Sequence, residues 1–141
     1  MKNLFKILIL LATFSVSAQE KLTFDQSLTK AQNEHKNVFL FFSGSDWCAP
    51  CVKFKKFYVD TEQFKTFSDE KLVVYNADFP RQKKNQLAKE IAAENGKLAD
   101  KYNSKGQFPM ILLLNDKGEV IKKWEQLPSE TLEQFIEKLK S

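Results

Sequence analysis

Along this chain, apolar residues change their spacing from helical to strand-like and back several times. From Leu22 to Lys36, Phe24, Leu28 and Ala31 recur at helical spacing, and Thr23 with Gln26 has the form of a capping box, which predicts a first helix. Asn37–Phe42 (Asn-Val-Phe-Leu-Phe-Phe) is too uniformly apolar for a half-exposed strand and is expected in the middle of a sheet. Ser43-Gly44-Ser45-Asp46 reads as a turn, and a second helix follows with Val52, Phe54, Phe57 and Tyr58 divided between core and surface. A short helical turn is expected from Asp60 through Phe64 and Phe67, and then a strand over Leu72–Ala77. Pro80 to Asn103 reads as a lysine-rich helical segment with an apolar stripe of Leu87, Ile91, Leu98 and Tyr102, broken in two at Asn95-Gly96. Phe108-Pro109 leads into Met110–Leu114, Asn115-Asp116-Lys117-Gly118 makes a hairpin turn, and Glu119–Trp124 returns. Ser129 is expected to cap a last helix whose Leu132, Phe135, Ile136 and Leu139 follow the i, i+3, i+4, i+7 rule. The order predicts an α/β sandwich around a mixed sheet, without repeats or a second domain.

The N-terminus changes the context. Met1–Lys6 carries two positive charges, Ile7–Phe14 is almost wholly apolar, and Ser15–Ala18 ends in small residues. This is the plan of a signal peptide over residues 1–18, cleaved between Ala18 and Gln19, leaving one domain over 19–141. An uncleaved membrane anchor is the alternative, but the apolar run falls short of the ~20 residues that span a bilayer. No cysteine follows the run to carry a lipid. The expected location is periplasmic or secreted, with a mature form not embedded in the membrane. Losing Lys2 and Lys6 lowers the formal charge from +4 to +2, and the remaining lysines are interleaved with acids. Nothing in that balance argues for nucleic acid. Thirteen phenylalanines and two tryptophans predict an aromatic-rich interior.

The chemistry is concentrated in Trp47-Cys48-Ala49-Pro50-Cys51, which contains the only two cysteines. Three residues apart at a helix start, both sulfurs lie on one face, near enough to form a small disulfide ring. Free backbone N–H groups and the positive end of the helix dipole stabilise a thiolate on the first cysteine. As a staple the pair is poor, since so short a loop restrains the unfolded chain little. As a redox couple the spacing is well suited. The rival readings are an inert disulfide and half of a zinc site. His35 is the only histidine, and four ligands of the usual nitrogen or sulfur chemistry cannot be assembled, so neither metal nor cofactor is expected. His35 reads as a helix-end surface residue rather than a base, and the lysines of 81–105 as a solvated face, with docking of an acidic partner as the sharper option.

Taken together, the strand before the cysteines, the adjacent tryptophan, the internal proline and the later Phe108-Pro109 resemble the thioredoxin superfamily, especially its secreted bacterial thiol:disulfide oxidoreductases. The resemblance covers about residues 22–140. It implies a thioredoxin-like three-layer sandwich, a central mixed β-sheet flanked by helices, with Pro109 a cis-proline; the long 78–109 segment adds an extra helix before the cis-proline strand. It implies Cys48 as nucleophile and more exposed thiol, Cys51 as resolving thiol, and Trp47, Pro50, Phe108 and Pro109 as the substrate-binding surface, an ordinary core aromatic being the other reading of Trp47. Phe108 is bulky for its place and is expected to narrow substrate choice. Three features depart from the family pattern: Val38–Phe42 holds no acid, Leu72–Asn76 lacks the lysine that often partners it, and the segment between Asp78 and Pro109 is longer than in a minimal thioredoxin by roughly one helix. Asp46 is the nearest acid in sequence.

Ala49 and Pro50 offer the thiolate neither charge nor a side-chain hydrogen bond, which predicts a couple in the reducing half of the range from about −270 to −120 mV. The expected protein is a monomeric reductase of disulfide-containing exported proteins, renewed by a membrane electron donor. An oxidase or isomerase of secreted proteins is the second reading, and a binding module with vestigial cysteines the third.

Overall fold

The computed structural model describes residues 21–141, so the expected signal peptide over 1–18 lies outside the described residues. The elements in chain order are α1 (Phe24–Glu34), β1 (Asn37–Ser43), α2 (Ala49–Phe54), α3 (Glu62–Lys71), β2 (Leu72–Asp78), α4 (Lys89–Tyr102), β3 (Met110–Leu114), β4 (Val120–Trp124) and α5 (Leu132–Lys140). The four strands form one mixed sheet in the order β2-β1-β3-β4, with β1 parallel to β2 and antiparallel to β3, and β3 antiparallel to β4. β1 is therefore paired on both edges, and because helices cover both faces of the sheet its run is apolar on both.

Alternation along β1 feeds two cores. Val38, Leu40 and Phe42 point to the side covered by α1 and α4, where they join Phe24, Ala31, Tyr75, Leu98, Leu112 and Leu114. Phe39 and Phe41 point to the other side, covered by α2, α3 and α5, among Phe54, Tyr58, Phe64, Ile111, Leu113 and Phe135. This is the expected three-layer sandwich.

Helix ends follow local chemistry. Thr23 and Gln26 form the expected capping box of α1, and His35, in the left-handed region at φ 53°, ends that helix as an exposed residue. The last helix starts later than expected. Thr131, not Ser129, is its cap, because Gln134 stands three residues on and returns the bond to the Thr131 N–H. Between β2 and β3 the structure also differs from expectation. Residues 80–88 form a loop with a single 3-10 turn (Lys83–Asn85), and α4 runs unbroken through Asn95-Gly96. A Cβ at Gly96 would meet nothing within 4 Å, so no turn requires glycine there. Asn95 is fully buried and its side-chain amide donates to the Asp78 carbonyl at 3.0 Å, which pins the helix to β2 at that point.

The second helical stretch carries an irregularity. After α2 the chain makes a π turn over Lys55–Val59, with the Asp60 N–H bonded to the Lys55 carbonyl at 2.8 Å. The extra residue leaves Phe57 exposed and brings Tyr58 inward, where its hydroxyl lies 2.5 Å from the Glu130 carbonyl and 3.2 Å from that of Pro128.

Candidate active site

The site lies at the C-terminal end of β1, where the chain leaves the sheet and turns into α2. The turn is set by Gly44, whose carbonyl accepts the N–H groups of Trp47 (3.2 Å) and Cys48 (2.8 Å). Cys48 is the N-cap of α2 with extended backbone, and Pro50 occupies the first helical turn, where no N–H is required. Cys48 and Cys51 are joined as a disulfide, with Cα atoms 5.2 Å apart. The Cys51 N–H points at Cys48 Sγ at 3.3 Å. One of the helix's unpaired donors is thus already aimed at the sulfur that would carry negative charge in the reduced form.

In the disulfide both cysteines are nearly closed off, with 5% of Cys48 and 3% of Cys51 accessible. The expected contrast in exposure between the two thiols is therefore slight in this state. Ala49 and Pro50 are exposed beside them and present no charge.

Trp47 is half-buried, with one side open to the groove and the others held by neighbours. Its indole lies so close to Gly44 that a Cβ there would come within 2.2 Å of the ring. Its N–H donates to the Phe79 carbonyl at 2.7 Å, and Phe108 meets it edge-on with centroids 5.2 Å apart. The guanidinium of Arg81 lies over the ring, 3.8 Å from its centroid. Phe79 and Phe108 are themselves edge-on at 5.6 Å, and Phe79 stacks on Phe42 of the core. The Phe108–Pro109 peptide is cis, and Pro109 is buried while Phe108 stays half-open. Trp47, Phe79, Pro80, Arg81, Gly106 and Phe108 together line a groove. Of the expected surface residues, Trp47 and Phe108 share this groove, Pro50 is exposed at the start of α2, and Pro109 lies beneath, ahead of β3.

Two acids hold the site in place, and neither role is visible in the local sequence. The Asp46 carboxylate accepts the N–H groups of Arg81 and Gln82, each at 2.9 Å, and the side-chain amide of Asn85 at 3.0 Å. These bonds, the Arg81 N–H first, hold its pKa below the ordinary carboxylate value. An anion held in this way is a poor proton carrier, so the acid nearest the cysteines in sequence serves as a clamp on the 80–88 loop. Asp78, at the end of β2, accepts from the Ser45 N–H (2.9 Å) and Ser45 hydroxyl (2.5 Å). The Ser43 hydroxyl lies 2.9 Å from Asp78 and 2.8 Å from the Asn76 side-chain oxygen, with one proton to give. Behind them, Tyr75 donates to Glu94 at 2.8 Å, and burial with that bond pushes its pKa upward, keeping the phenol a donor. The Asn95 side-chain oxygen lies 3.2 Å from the same hydroxyl, competing for its one proton, while the Asn95 amide N–H donates to the Asp78 carbonyl. Further along, the side chain of Asn103 bonds both the carbonyl and the N–H of Gln107, shaping the approach to Phe108-Pro109.

Comparison with known proteins places this geometry among relatives. A family model described as a thioredoxin-like domain matches residues 24–140. The disulfide bond reductase DsbH of Chlamydia pneumoniae is 31% identical over 97 residues, 69% of this chain. The chain spans 57% of that relative's length. A solved DsbH oxidoreductase superposes with a TM-score of 0.76 at 25% identity, covering 86% of this chain and 81% of the other. A disulphide isomerase from Xylella fastidiosa gives a TM-score of 0.62 at 15% identity, over 87% of this chain and 95% of its own. A thioredoxin from Thermus thermophilus gives 0.58 at 17%, over 83% and 81%. At those last two identities the likeness is one of fold.

Proposed function

Because this chain belongs to the thioredoxin-like domain family, we propose that it is an exported thiol:disulfide oxidoreductase that reduces disulfides of envelope proteins. The observation that carries the proposal is the Cys48–Cys51 couple at the start of α2, with the Cys51 N–H directed at Cys48 Sγ. In the reduced protein the Cys48 thiolate attacks one sulfur of a partner's disulfide. A mixed disulfide forms and the partner's other sulfur leaves as a thiolate that takes up a proton. The Cys51 thiol gives up its proton and attacks Cys48 Sγ, closing the Cys48–Cys51 bond and releasing the partner's second thiol. Two electrons pass to the partner, and the oxidised enzyme is returned to the dithiol by a membrane electron donor.

Trp47, Pro50, Phe108 and Pro109 form the substrate-facing surface in this reading, with the backbone at Phe108 pairing with an extended substrate segment. The reductive direction is supported by the neutral, exposed Ala49-Pro50 pair, which leaves backbone donors as the thiolate's local stabilisation. It is also supported by likeness to a relative named a disulfide bond reductase. Residues 1–18 act as the export signal and 19–141 as the mature domain, acting as a monomer in the periplasm or outside the cell; N-terminal sequencing of the exported protein checks the boundary.

The test is the potential of the couple, read by thiol trapping in graded dithiothreitol or glutathione buffers, alongside insulin reduction by wild type and Cys48→Ser. A value near or below about −230 mV with activity lost in the variant is expected. A value of about −180 to −120 mV makes the protein an oxidase or isomerase. Failure to form the internal disulfide removes the redox reading.

A further inference from the structure

We propose, on the premise that this site exchanges disulfides, that Arg81 is a specificity-determining residue. Its guanidinium, lying on Trp47 in the active-site groove, selects substrates with a carboxylate side chain flanking the reacting disulfide. The occupant of the groove is an extended acidic peptide segment.

The loop that carries Arg81 is held in place. Asp46 stands two residues before Cys48 and binds the Arg81 and Gln82 N–H groups and the Asn85 amide. The indole N–H of Trp47 holds Phe79 of the same loop. The loop therefore cannot leave the redox site without losing several charge-assisted bonds.

The Asp46 charge is engaged by donors other than the Arg81 guanidinium, and among the described residues that guanidinium is in no salt bridge. It lies against the indole at 3.8 Å, an arrangement that holds its face and leaves N–H edges for a planar carboxylate. Since the fork is already ordered by stacking, less side-chain freedom is lost when a carboxylate docks. Along the loop itself the sign matches: Arg81, Lys83 and Lys84 are exposed, no acid stands between Phe79 and Lys89, and three cations outweigh the Asp46 carboxylate that anchors it. Phe79, Pro80 and Phe108 supply apolar walls for the rest of the segment.

The experiment uses two disulfide-bonded peptides, identical except for Glu or Gln beside each cysteine, and reads the ratio of their kcat/KM values within each variant. A general loss of folding or of redox chemistry cancels in that ratio. Wild type is expected to favour the Glu peptide by about three- to tenfold at low salt, falling as salt is added. R81Q should bring the ratio to unity, R81E should reverse it, and R81K should recover only part of it. A wild-type ratio of one, or an unchanged ratio in R81Q, overturns the proposal. So does a ratio abolished by K83Q/K84Q together but not by R81Q.

A second reading does not depend on exchange. Linear peptides with serine in place of cysteine are titrated against the Cys48→Ser, Cys51→Ser double variant, with tryptophan emission as the signal. A Glu preference lost on adding R81Q supports the groove even if no peptide is reduced. Reduction without any charge preference leaves the enzyme reading standing and removes this one.

Discussion

The two faces of the sheet are built differently. On the side of α2, α3 and α5, Phe39, Phe41, Phe54, Tyr58, Phe64 and Phe135 touch ring to ring, with neighbouring centroids 5.2 to 6.4 Å apart. On the side of α1 and α4, the apolar layer is interrupted by Tyr75, Glu94 and Asn95, whose hydrogen bonds lead to Asp78 and from there to Ser43 and Ser45. Apolar contact is strong in sum but non-directional, whereas a hydrogen bond fixes both distance and angle. Both faces therefore contribute apolar burial, and the polar groups on the second also set where the loop before Cys48 sits.

The largest break in that comparison is Phe39→Ala. Emptying a fully buried ring is expected to cost about 3–5 kcal/mol in urea unfolding, with the potential of the cysteine couple unchanged in the folded fraction. A shifted potential would show that the faces are not separable. Asn95→Ala on the other face should cost less, about 2 kcal/mol, because it leaves the Asp78 carbonyl without its donor. Unlike Phe39→Ala, it should also slow disulfide exchange several-fold in the folded protein. If exchange is untouched, the polar face has no part in holding the site.

Gly44→Ala sharpens the point within the site itself. The new methyl would displace the indole, at about 1 kcal/mol since Trp47 can move toward solvent, and should shift tryptophan emission to the red. The smallest effect is that of pH on Asp46. Its folded pKa is depressed, so its stabilising contribution is present above the ordinary value of 3.8 and is lost as pH falls through the lower folded value. In a Trp124→Phe background, Trp47 emission should be flat from pH 5 to 8 and change only in acid, and Asp46→Asn should remove that acid change. A transition near neutrality would rule Asp46 out as its source.

What could be read in the sequence follows the range of the interactions involved. Both reciprocal Thr-x-x-Gln caps close within four residues, yet only that of α1 stands out in the sequence, because Ser129 offers a competing cap for α5. The apolar run of β1, the Asn115–Gly118 hairpin turn and the Cys48-to-Cys51 spacing are equally local. Residues 80–88 read as helix because their lysines and glutamines suit one, yet they form a loop. What holds them as a loop is Asp46, 35 to 39 positions earlier in the chain. Asn95-Gly96 looked like a break because its tertiary anchor, the Asp78 carbonyl, is 17 positions away. For the same reason the stacking of Arg81 on Trp47 and the hold of Asp78 on Ser45 left no local signal.

The contact between Gly44 and Trp47 also bears on how this site is recognised in other chains. Because a side chain at position 44 would occupy the space of the indole, W-C-x-P-C alone does not specify this arrangement. The unit that does is longer, running from the glycine through Asp46 to Cys51, with room for the ring and an anchor for the loop above it written into the same eight positions. A chain that keeps both cysteines and the tryptophan but has a bulky residue four positions before the first cysteine must seat its indole elsewhere. Its groove would then have another shape, and its choice of partners should not be inferred from this one.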